Sequence, residues 1–111
     1  MKKNELFILI DLALAVVKDI ALEDRLKKIQ SAQREYIQAQ ACANRSKSKA
    51  IIKAIVNIDT QVILLERDYL KVKDTLETDG RAAMEPLITM LKKERIRLVN
   101  EKNAIMNEKT E

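Results

Sequence analysis

From Ile51 to Leu76, the apolar positions Ile51, Ile55, Ile58, Val62, Leu65, Tyr69, Val72 and Leu76 step by four and three without a miss. That rhythm belongs to a helix that buries one seam along its whole length, and it predicts a helix over about residues 48–78. A second apolar line, Ile52, Val56 and Ile63 with Leu64 beyond, predicts more burial than the two-position stripe of a plain coiled coil. Arg67, Lys71 and Asp74 mark its outer face, and Tyr69 reads as a seam residue whose hydroxyl reaches the rim.

Upstream, Asn4, Asp11, Lys18 and Arg25 recur every seven residues and fall on one line of a helix. Leu6, Leu9, Ile10, Ala13, Val16, Val17 and Ile20 cover much of the remaining circumference. A helix with so narrow a polar strip must be covered from several sides, so these seven residues form a candidate self-association or partner surface. Beyond Ile20 the line shifts to Leu22, Leu26, Ile29, Tyr36 and Ala43, thinned by Gln33 and Gln40 at seam positions. The i,i+4 pairs Glu23–Lys27 and Asp24–Lys28 argue for continuity across the shift. The expectation is one long first helix, about 4–43, with a phase slip near 20–24; a short hinge there is the alternative.

Two polar breaks punctuate the pattern. Asn44 to Lys49 is the first, where Ser46 or Ser48 is placed to cap the next helix. Thr78-Asp79-Gly80 is the second: Gly80 is expected to end a helix in the left-handed conformation, and Pro86 to sit in the first turn of the next. A third helix, about 84–107, repeats Met84, Leu91, Leu98 and Ile105 every seven residues, joined by Leu87, Ile88, Val99 and Met106. Short breaks make sequential helices antiparallel. The pattern therefore predicts an all-α fold, an antiparallel three-helix, coiled-coil-like bundle in a single domain over residues 1–111. Association is expected too, with a homodimer favoured and the apolar excess of residues 6–22 at its interface.

Composition narrows the chemistry more than the fold. One Gly, one Pro and no Trp, with 34 % charged residues, suit long amphipathic helices and not a many-stranded sheet. The absence of histidine removes the commonest general base and zinc ligand. A lone glycine cannot build a phosphate-cradling loop. Cys42 is the single cysteine, so it has no intrachain disulfide partner, and a reducing cytoplasm is the expected compartment. The N-terminal apolar run carries Glu5 and Asp11 and ends at Lys18 and Asp19, which disfavours both an export signal and a membrane span.

Among charged sets, Glu94-Glu101-Glu108 is the one ordered line of carboxylates, its members about 10 Å apart along a helix, too far to share a metal ion. With Arg95, Lys102 and Lys109 alongside, it reads as a solvated or pairing face. The net charge of +4 and the clusters Arg45, Lys47, Lys49 and Lys92, Lys93, Arg95, Arg97 are candidate phosphate contacts. Interspersed acids and the lack of interleaved aromatics weaken that candidacy. The residues thus predict a non-enzymatic helical module without cofactor or metal, acting on a protein partner or on itself by presenting a helical face. A nucleic-acid-binding accessory protein is the alternative. Peripheral membrane attachment beside Lys2 and Lys3 is a weaker third.

Overall fold

The computed structural model describes residues 2–41 and 47–109, and of these the side chains of 5–41, 48–107. It is all-helical: α1 spans Lys2–Val16, α2 Ile20–Ala41, α3 Lys47–Val72 and α4 Thr78–Lys109, with a 3-10 turn at Lys73–Thr75. Each helix runs antiparallel to the one before it. Neighbours in the bundle are α1 with α2, α2 with α3, α3 with α4, and α4 with α1, so the four form the sides of an up-down-up-down square. The pairing of α2 with α3 is the most extensive.

The expected first helix is two helices, and the break falls at Val17-Lys18-Asp19, ahead of the predicted slip. Asp19 is its cause. The Asp19 carboxylate accepts from the Leu22 backbone N–H at 3.0 Å, and its carbonyl accepts from Glu23 N at 2.9 Å, which together start a new helix. The three-residue hinge lets α1 fold back along α2, where Gln30 Nε2 donates to Asp11 at 2.9 Å. Asp11 is exposed as the seven-residue line predicts, whereas Arg25, on the same line, turns inward to α3.

The second break also moves. The chain leaves α3 through the 3-10 turn and an extended Leu76, and Glu77 O accepts from Arg81 N at 3.1 Å to open α4. Gly80 therefore lies inside α4 with no positive φ, buried beside Val16 and Val17, and does not end a helix. Pro86 likewise lies inside α4, beyond its first turn. The carbonyl deprived of a donor by Pro86 belongs to Ala82, an exposed residue.

The core follows the predicted seam. Ile51, Ile55, Ile58, Val62, Leu65 and Tyr69 are buried, and Val72 and Leu76 pack partly buried against them. From α2 come Leu22, Leu26, Ile29 and Tyr36, and from α4 Met84, Leu87, Leu91 and Leu98. The second line on α3 behaves differently from expectation: Val56 and Ile63 are exposed, and Ile52 and Leu64 only half-buried. The helices α2 and α4 take up the seam but not this flank.

Charged side chains tie the helices at the rim. Arg25 of α2 reaches Asp68 and Gln61 of α3, each at 3.2 Å. From α4, Arg95 binds Asp59 and Lys92 binds Glu66 at 2.8 Å, both on α3. Burial pushes the Asp68 carboxyl up, but hydrogen bonds from Arg25 and Arg67 outweigh it and leave the group below the usual carboxylate range. Tyr69 donates to Glu85 at 2.9 Å, the rim contact predicted for it.

Candidate functional site

The helix α1 has 15 residues against 32 in α4, or about 22 Å against about 48 Å at 1.5 Å per residue. It therefore covers only part of the trough between α2 and α4. Beside Glu5 and Leu6 of α1, the trough opens as a cavity of about 580 Å³. Its walls are Gln33, Tyr36, Ile37 and Gln40 from α2 and Met90, Lys93, Glu94 and Arg97 from α4. That volume lies within the range of small-molecule sites, about 300–1,000 Å³.

Polar groups in the groove are mostly committed. Tyr36 donates to Glu101 Oε2 at 2.5 Å and accepts from Gln40 Nε2 at 2.8 Å. Burial first, and then the bond to Glu101, push its phenol up to about 12. Arg97 clasps Glu94 with two hydrogen bonds, 2.8 and 3.0 Å, which hold the guanidinium still more firmly protonated. Two groups stand apart. Gln33 is 4 % exposed, and its Nε2 has no hydrogen-bond partner among the described residues. Lys93 is exposed and has no ion pair among the described residues.

The structure divides the predicted basic cluster of α4. Lys92 and Arg95 face α3 and are paired, while Lys93 and Arg97 line the groove, Arg97 paired with Glu94. Lys49 is exposed on α3; Arg45 and Cys42 lie outside the described residues, as does the Lys47 side chain. No single face collects the seven cations. The acidic line is likewise spent in pairs, Glu94 on Arg97 and Glu101 on Tyr36, with the Glu108 side chain outside the described residues.

Of the apolar candidates on the first helix, Leu6, Ile10, Ala13 and Val17 are buried within the chain, and Leu9 and Val16 pack partly buried. The covering they require comes from α4 and α2. Ile20, 86 % exposed beside the Asp19 cap, alone remains fully open. On α1 the exposed large residues are instead Ile8 and Leu12.

A longer apolar surface lies on α3. Val56, Ile63 and Leu70 are 46, 47 and 57 % exposed and stand seven residues apart, one above another. Ile96 of α4, next to the Arg95 that grips Asp59, is exposed at the level of Val56. Sequence periodicity flagged Val56 and Ile63 but assigned them to the core. The groove was missed altogether, although polar residues at Gln33 and Gln40 on either side of Tyr36 interrupt an otherwise apolar seam.

Among the described residues no group of three His, Cys, Asp or Glu is placed to hold a metal ion, and no helix is long and apolar enough to cross a membrane. Comparison with protein-family models, curated proteins and solved structures finds no match to this chain.

Proposed function

We propose that this protein is a non-enzymatic helical interaction module whose docking face is the outer stripe of α3, and that its first partner is a second copy of itself. The stripe of Val56, Ile63 and Leu70 carries this reading. Its residues are large and apolar, contribute little to the core, and extend about 21 Å along one helix. Thr60 and Arg67 stand between them on the same face, and exposed apolar residues aligned along a helix and rimmed by polar groups are a surface that association removes from water.

Its spacing favours self-association. The three positions are symmetric about Ile63, so an antiparallel copy sets Val56 opposite Leu70 and Ile63 opposite Ile63. The same arrangement brings exposed Lys53 close to the level of exposed Asp74. An interface of that kind is isologous and closes after two chains.

Sedimentation equilibrium of the parent and of a Val56→Ser, Ile63→Ser, Leu70→Ser variant tests it. The parent is expected at twice 12.7 kDa and the variant at 12.7 kDa with unchanged helical circular dichroism. A parent that stays monomeric at hundreds of micromolar, or a variant that still dimerises, overturns the assignment of this face.

A further inference from the structure

The groove at the start of α1 lies across the bundle from the α3 stripe, since α1 and α3 occupy opposite corners of the square. Among the described residues it has the make-up of a ligand site: an apolar wall, a buried donor without an acceptor, and a cation without an ion pair. Leu6, Ile37 and Met90 supply the wall. Gln33 supplies the donor, and a buried amide N–H without a partner is costly enough that native proteins rarely keep one. The terminal amide torsion of glutamine is broad and roughly two-fold, so rotation about it can turn Nε2 to the groove.

Charge selects the ligand. Glu94 is paired with Arg97, so among the described residues the groove cation without an ion pair is Lys93. Glu5, on the α1 side, is the opposing negative charge. We infer that the groove binds a small monocarboxylate with an apolar body, its carboxylate accepting from Gln33 Nε2 under the charge of Lys93 and its body lying on Leu6, Ile37 and Met90. A neutral carbonyl would satisfy Gln33 but leave Lys93 without a role.

The test is a titration of the ¹⁵N-labelled protein with decanoate and with decanamide, below micellar concentration, followed by NMR. The Gln33 side-chain amide is assigned by its disappearance in Gln33→Met. Decanoate is expected to shift that amide saturably and to bind at least several-fold more tightly than decanamide. Lys93→Met should weaken decanoate several-fold, Gln33→Met should do the same without lowering the melting temperature, and Glu5→Gln should tighten it. Absence of saturable shifts overturns the site. Equal binding of the acid and the amide, or binding unchanged in both Gln33→Met and Lys93→Met, overturns the carboxylate assignment.

Discussion

At the end of the bundle where α1 is present, Ile10, Ala13, Val17, Leu22, Leu26, Ile29, Met84, Leu87 and Leu91 are buried, and the buried polar atom nearby is the Tyr69 hydroxyl, which reaches Glu85 at the rim. A turn or two further along the same α2 and α4, beside the first turns of α1, the buried set includes Gln33 and the hydroxyl-bearing Tyr36, with Gln40, Glu94, Arg97 and Glu101 around them. The two regions share helices and differ in how closely their described side chains fill the space between them. The closed region excludes water. The groove has a lining that must accommodate water, so its polar groups pair with one another or await a partner.

The largest effect is expected at the seam common to both regions. Leu65 is fully buried, and Leu65→Asp would place a charge with no counter-ion in the core, at a cost of several kcal/mol, comparable to the stability of a domain of this size. Loss of a cooperative thermal transition by circular dichroism is the predicted result. A variant that melted like the parent would mean the central helix is misplaced.

Truncations compare the two ends directly. Leu26→Ala at the covered end should cost about 2–5 kcal/mol in urea unfolding. Ile37→Ala, half-buried at the groove, should cost about 1 kcal/mol or less, because solvent already reaches the side chain. Equal losses would erase the distinction between a closed and an open end.

Alkaline pH sharpens it further. The phenols of Tyr36 and Tyr69 are both pushed up to about 12, so the folded chain keeps protons that the unfolded chain releases near 10. Stability should hold below about pH 10 and decline as the pH rises toward 12. In Tyr36→Phe the decline should be shallower, and ultraviolet titration of the folded parent should show neither tyrosine ionising near 10. A phenol that titrates at 10 before unfolding would remove the Tyr36–Glu101 bond from the groove.

The smallest effect tests how closely α1 approaches α4. A Cβ at Gly80 would meet Leu76 Cβ and Val17 Cγ2 at 3.8 Å and Val16 O at 3.9 Å, ordinary contacts in a helical backbone. Gly80→Ala should therefore stabilise by about 0.5–1 kcal/mol through helix propensity. A loss would place α1 nearer to α4 than described.

The helical class and the α3 seam were legible because six consecutive seam positions keep one period and all become core. The α1–α2 break was legible only as the alternative of a hinge near 20–24, because periodicity tolerates a phase slip, and the deciding group was a single capping carboxylate at Asp19. Gly80 and Pro86 misled for the opposite reason: both residues punctuate helices on average, yet burial against Val17 and the exposed position of Ala82 four residues before Pro86 let α4 run through them. Periodicity also could not separate the α3 residues that face α2 and α4 from Val56 and Ile63 on the flank, since all are apolar at helical spacing. The groove depends on helix lengths and their offset, which pairwise spacing does not encode.

The packing of α1 chiefly against α4, and less against the neighbouring α2, has a consequence during synthesis. Ile10, Ala13 and Val17 emerge from the ribosome about sixty residues before the first turn of the helix that buries them. The α2–α3 hairpin can form in the interval from local contacts, while α1 must wait for the longest loop in the fold to close. Nascent chains halted before Thr78 should accordingly expose the α1 residues to a chaperone, and release of that chaperone should coincide with the arrival of α4 outside the exit tunnel.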